Sequence, residues 1–168
     1  MAVSSLAERI KIDLAGDPDS LRVSLNGHDV TGRIRDEDVT RVSSIVSTIP
    51  AVRRAMVKQQ RELGRHGAVM NGRDIGTVVF PDADIKFFLD ASVAERAERR
   101  LAEERVINPG AEFEQTLADI TDRDHRDTTR EDSPLVAADD AIIINSTGLS
   151  IAEVLQQMMF KVGERNAV

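Results

Sequence analysis

Three short apolar runs in the second half of the chain do most to limit its fold. They are residues 68–70, 85–89 and 141–144. Strands buried on both faces of a parallel sheet read as continuous apolar runs, whereas half-wet antiparallel strands alternate. Helical patterns lie among these runs. Residues 92–104 open with Ser92-x-x-Glu95, and residues 150–164 open with Ser150-x-x-Glu153, both in the form of a capping box. The second carries an apolar stripe of Ile151, Val154, Leu155, Met158 and Val162. Between them lies a third helical segment, 113–130, preceded by the linker Asn108-Pro109-Gly110. Strands alternating with helices predict an α/β fold with a parallel sheet and flanking helices.

The first part of the chain has a different texture. Residues 10–14, 21–25 and 29–34 predict short strands, and Asn26-Gly27 predicts a tight hairpin because both residues tolerate positive φ. Residues 36–48 predict a helix. Pro50 suits the start of the next one, which runs to about residue 63 and ends at Gly64 or Gly67. The expected division is 1–66 as a small antiparallel sheet with helices, and 67–168 as the α/β part.

Composition removes several classes of function. The 168 residues carry a net charge of -7, which argues against a nucleic-acid backbone as partner. There is no cysteine, so disulfides, thiolate catalysis and cysteine-bound zinc are excluded. The three histidines, His28, His66 and His125, are far apart in sequence, and no metal site is expected from them. No run reaches the ~20 apolar residues of a membrane helix. The first residues lack the pattern of a signal peptide. The expected compartment is the cytoplasm.

Two clusters could carry chemistry. Gly72-Arg73-Asp74-Ile75-Gly76 follows the first apolar run. Ligands of open α/β sheets bind beyond the carboxyl ends of the strands, which is where Arg73 and Asp74 would stand. An arginine there can grip a phosphate with its planar fork, and an aspartate can accept from an exocyclic amino group. From the pentapeptide alone, a surface turn with an ion pair is the favoured reading. The second cluster is Arg123-Asp124-His125-Arg126-Asp127-Thr128-Thr129-Arg130. On a helix Arg123, Arg126, Asp127 and Arg130 lie on one broad face, with Arg123 and Asp127 four apart. A solvated helix with alternating charge is the alternative.

Taken together, these segments resemble the bacterial cytidylate kinases. The resemblance rests on Gly72-Arg73-Asp74-Ile75-Gly76-Thr77-Val78-Val79-Phe80-Pro81, on Ile85-Lys86-Phe87-Phe88-Leu89-Asp90-Ala91-Ser92, on Arg123-Asp124-x-x-Asp127-x-x-Arg130, and on Ser133-Pro134-Leu135. It implies a P-loop nucleoside monophosphate kinase that passes the γ-phosphoryl of ATP, with Mg²⁺, to CMP or dCMP. Carried over by motif, Ser44, Arg53 and Asp74 would read cytosine. Arg73 and Arg130 would hold the monophosphate, and Arg123 and Asp127 the sugar and its surroundings. Arg126 would reach toward the transferring phosphates, so that Arg73, Arg126 and Arg130 form the catalytic set. Residues 1–66 would be the monophosphate-binding insert, and a lid would lie around 104–115. Cytosine chemistry agrees with these roles: its N4 amino group donates, and its O2 and N3 accept.

The same resemblance implies a glycine-rich phosphate loop, G-x-x-x-x-G-K-[ST]. No Gly-Lys pair occurs in these 168 residues: Gly163 is followed by Glu164 and Gly27 by His28. The expected missing portion is a βαβ unit and more, roughly 50 residues. No residues are therefore assigned to ATP. Asn71 stands where the family usually has an acidic residue. Two alternatives stay open, a non-catalytic CMP-binding module and a fragment that needs a complementing chain or a swapped dimer. The motif predicts that Asp74→Ala abolishes CMP binding while the fold remains intact.

Overall fold

The structure is a computed structural model that describes residues 2–166; the side chains of residues 2, 18, 37, 44, 107 and 166 lie outside what it describes. The chain forms two compact units. The first comprises the residues up to Phe80 together with Arg130–Ser133, and the second comprises Pro81–Thr129 together with the residues from Pro134 onward.

In the first unit, helix α1 (Ala2–Arg9) leads into an antiparallel sheet of β1 (Ile12–Ala15), β2 (Arg22–Leu25) and β3 (His28–Asp29). The hairpin forms as expected. Leu25 pairs with His28 across Asn26 and Gly27, whose φ values are 51° and 81°, the left-handed pair that a two-residue turn requires. The third strand is much shorter than the expected 29–34. The Asp29 carboxylate accepts from the Thr31 N–H at 2.8 Å, and the Thr31 hydroxyl accepts from Val23 N at 2.9 Å. This local side-chain bonding turns the chain out of the ladder. It also holds the Asp29 carboxyl below its ordinary pKa.

Helices α2 (Glu37–Val46) and α3 (Pro50–Leu63) follow. Pro50 occupies the first turn of α3, where its missing N–H costs nothing. Gly64 closes α3 with an ordinary φ, and space is what it supplies. A Cβ there would lie 2.5 Å from the Phe80 ring and 3.2 Å from the Met70 sulfur. Val52 of α3, Ala7 of α1 and Val79 are the buried apolar side chains of this unit among the described residues.

In the second unit, β4 (Phe87–Asp90) and β5 (Ile142–Asn145) pair in parallel, with Phe87 opposite Ile142 and Asp90 opposite Asn145. Helices α4 (Val93–Ile107), α5 (Phe113–Thr129) and α6 (Ile151–Asn166) accompany them. The expected α/β architecture is present, with one correction. Residues 68–70 form no strand: β4 and β5 pair only with each other, and Val69 is fully exposed. A run of three residues with no ladder partner leaves its peptide groups to water instead.

Both capping sequences work, to different extents. The Ser92 hydroxyl accepts from Glu95 N at 3.2 Å, but the Glu95 carboxylate is taken by Arg99 at 3.0 Å, so this box is half-formed. The α6 box is complete: Ser150 N donates to the Glu153 carboxylate at 2.8 Å, and Glu153 N donates back to the Ser150 hydroxyl at 3.3 Å. The apolar stripe of α6 is only partly covered. Val154, Met158 and Val162 are half-buried, while Ile151 and Leu155 are exposed.

Two predictions follow from this packing. Gly64→Ala is expected to destabilise the protein by about 1–3 kcal/mol in urea unfolding through overpacking against Phe80. A Phe80→Leu background should remove most of that loss. The Ser150 hydroxyl, and then its N–H, hold the Glu153 carboxyl below its ordinary pKa. The cap therefore stabilises α6 fully above the pKa of an unfolded glutamate, and its contribution fades as pH falls through the lower folded value. An NMR titration should show Glu153 titrating below glutamate in an unstructured peptide, and Ser150→Ala should raise it toward that value.

Candidate functional site

Arg53 and Asp74 meet in the first unit. Arg53 lies in the first turn of α3, its N–H bonded to the Ile49 carbonyl at 3.1 Å. Its guanidinium reaches back, so that Nη1 donates to the Ser47 carbonyl at 3.3 Å and Nη2 donates to the Asp74 carboxylate. The two side chains are 9% and 11% exposed, which makes this a buried ion pair. Arg53 Nε is buried without a hydrogen-bond partner. The pair is desolvated on both sides, a costly arrangement outside good geometry and one that fixes orientation.

Asp74 is held by its own backbone as well. It begins a single π-helical turn, Ile75–Val79, and its carbonyl accepts from Val78 N at 2.9 Å and Val79 N at 3.2 Å. Val79 is 1% exposed and anchors the turn in the core. Gly72, just before it, lies in a bend of the chain and does not adopt positive φ. A Cβ at Gly72 would lie 2.7 Å from the Ile75 side chain. The glycine is required for a close approach within the motif.

The remaining expected residues are carried by both units. Arg73 is exposed beside Asp74. Arg130 belongs to the first unit, where its Nε donates to the Ser133 carbonyl at 2.6 Å, with Ser133 at φ 55°. Arg123, Arg126 and Asp127 lie on α5 in the second unit. Arg123 Nε and the Asp127 carboxylate form an ion pair at 3.8 Å, as the spacing predicted. Asp127 is buried and Arg126 exposed, and α5 ends at Thr129, before Arg130. The helix thus ends one residue before the expected end at Arg130. Ser44 lies on α2, and its side chain is outside the described residues.

A cavity of about 480 Å³ borders this site within the first unit. Four cations of α3, Arg53, Arg54, Lys58 and Arg61, line it together with the carboxylates Glu62 and Asp132. Its size is that of a small-ligand pocket, and its cations suit an anionic ligand. The Asp74 side chain is not on its wall. Sequence reasoning passed over Arg61, which binds the backbone of the π turn, and the Ser47 carbonyl that holds Arg53. The one signal for Arg61 is its place eight residues beyond Arg53, on the same side of α3.

Comparison with known proteins is unambiguous at the level of family. A family model described as cytidylate kinase matches residues 1–164. The chain is 44% identical over 166 residues to the cytidylate kinase of Geobacter sp. (strain M21), covering 98% of this chain and 71% of that one. It is 51% identical over 140 residues to the cytidylate kinase of Solibacter usitatus (strain Ellin6076), covering 82% and 60%. It is 50% identical over 155 residues to that of Anoxybacillus flavithermus (strain DSM 21510 / WK1), covering 92% and 69%.

The buried pair alters what substitution at Asp74 should do. Asp74→Ala strands the Arg53 charge in a desolvated site, so the fold is not expected to remain untouched. Each single change, Asp74→Leu or Arg53→Leu, should cost about 3–5 kcal/mol in chemical denaturation. The double variant should recover most of that loss, giving a large coupling term in the double-mutant cycle.

Proposed function

The chain belongs to the cytidylate kinase family, and on that premise we propose that it transfers the γ-phosphoryl group of MgATP to CMP or dCMP, giving CDP or dCDP. The observation that supports this reading is the pairing of Arg53 with Asp74. An arginine and an aspartate held side by side offer donors and an acceptor to one edge of a base. Cytosine needs an acceptor at its N4 amino group and donors at O2 and N3; uracil reverses the pattern at N3 and at position 4. Asp74 accepts from N4 and disfavours uracil, while Arg53 and Ser44 donate to O2 and N3. Base binding exchanges part of the Arg53–Asp74 contact for base contacts, so the charges stay partnered in both states.

In this reading Arg73 and Arg130 hold the monophosphate, Arg123 and Asp127 address the sugar, and Arg126 serves the transferring phosphates. Residues 1–66 are the monophosphate-binding insert, and the lid lies around 104–115. Among the described residues no group of three or more His, Asp or Glu side chains converges. The Mg²⁺ ion is taken with ATP as the MgATP substrate, and no step is derived through it. No helix among the described residues is long and apolar enough to cross a membrane. We place the protein in the cytoplasm, with its nucleotide substrates.

A second reading has its own observation. Phosphoryl transfer relies on a backbone phosphate cradle and its lysine, and no Gly-Lys pair occurs in these 168 residues. That favours CMP binding without turnover by this polypeptide alone, or turnover only with a complementing chain or a swapped dimer. Calorimetric titration with CMP and UMP, followed by a coupled ADP-release assay with CMP and MgATP, separates the readings. CMP is expected to bind at least about tenfold more tightly than UMP. Equal affinities would sink the cytosine assignment. Binding without ADP release would favour the non-catalytic or partner-requiring form.

A further inference from the structure

Arg61 is an exposed residue two turns beyond Arg53 on α3, about 12 Å along the helix axis. Its side chain does not lie free on the surface. Nε donates to the Val79 carbonyl at 2.9 Å, and Nη2 donates to the Val78 carbonyl at 2.7 Å. These carbonyls belong to the residues whose N–H groups hold the Asp74 carbonyl, at 2.9 Å from Val78 and 3.2 Å from Val79. The guanidinium fork thus grips one end of the π turn, and Asp74 forms the other.

We propose that Arg61 is a positioning residue for base selection, acting through the π turn on the Asp74 carboxylate; this rests on the cytosine reading of Arg53 and Asp74. An isolated turn of five residues does not hold its own shape in water. Here it is tied to α3 at both ends, by Arg53 at Asp74 and by Arg61 at Val78 and Val79. Apolar packing of Val79 and of Phe80 on Gly64 holds the turn against α3, and the two polar ties set how its backbone is directed there. Reading the N4 amino group needs the Asp74 carboxylate held within about 0.5 Å of its place. A base that makes no bond to Asp74 gains nothing from that placement, so discrimination between it and cytosine falls when the carboxylate is misplaced. Arg61 also suits the job chemically: two carbonyls about one residue apart are matched by a planar fork and not by an ammonium point charge.

The experiment is calorimetric titration of CMP and UMP into the unmutated chain, Arg61→Ala and Arg61→Lys, with amide hydrogen exchange on the same three proteins without ligand. In Arg61→Ala the CMP Kd should rise about tenfold more than the UMP Kd, as misplacement of one bonding group predicts, because loss of a cavity cation weakens both monophosphates alike. Arg61→Lys should fall between. The Val78 and Val79 amides should exchange faster in Arg61→Ala, while the hairpin amides of the first unit keep their rates. An unchanged CMP-to-UMP ratio, or equal weakening of both ligands, overturns the positioning role and leaves Arg61 a structural residue. Unchanged exchange at Val78 and Val79 overturns it without reference to any ligand. Failure of the unmutated chain to prefer CMP refutes the cytosine reading instead, and the exchange rates still decide whether Arg61 holds the turn.

Discussion

A buried ion pair between two elements 21 residues apart in sequence organises the first unit. Arg53 and Asp74 have each given up water, so neither can move without the other at a cost of several kcal/mol. The constraint passes outward from there. It holds the start of α3 against the start of the π turn, while Val79 in the core and Gly64 beneath Phe80 hold the two elements together farther along. Polar specificity and apolar packing therefore act on the same pair of segments. The site sits where the unit is most strongly determined.

The second unit is held by a different device. Its sheet has two strands, and a parallel pair of that size is weak by itself. Side chains strengthen its edges. Lys86, with its side chain 8% exposed, donates to both Asp140 carboxylate oxygens, at 2.8 and 2.9 Å, and to the Pro81 carbonyl. The same lysine holds the Asp140 carboxyl below its ordinary pKa. At the opposite end of the strands, Arg99 donates to the Ser146 carbonyl at 2.7 Å and to the Leu149 carbonyl at 3.3 Å, and so fastens α4 to the turn after β5. The Ser146 hydroxyl and N–H both donate to the Asp90 carbonyl, which joins the carboxyl ends of β4 and β5. Charged side chains on backbone carbonyls here take the place of further strands.

Features governed by neighbours in sequence were legible. The Asn26-Gly27 turn depends on two backbone conformations, and the Ser150–Glu153 box on one turn of helix. Strands β4 and β5 were legible as apolar runs long enough to pair, although Leu89 and Ile143 stay exposed. Features governed by a partner were not. Residues 68–70 are as apolar as a strand, yet a strand exists only with a ladder neighbour. Residues 29–34 alternate suitably, but one Asp29–Thr31 hydrogen bond redirects them. Helix α1 was missed because eight residues are too few for periodicity to speak.

The candidate site divides along the same line. By itself the sequence determined the family, the motif Gly72-Arg73-Asp74-Ile75-Gly76 and the hydrogen-bonding types offered to a ligand, because donors, acceptors and charges belong to residue identity. Only the tertiary structure decided that Asp74 is the buried partner of Arg53, that Arg130 leaves the helix of Arg123 and Asp127, and that Arg61 clasps the turn behind the carboxylate. Burial and partnership are properties of two segments brought together in space, and a one-dimensional pattern carries no term for the second segment.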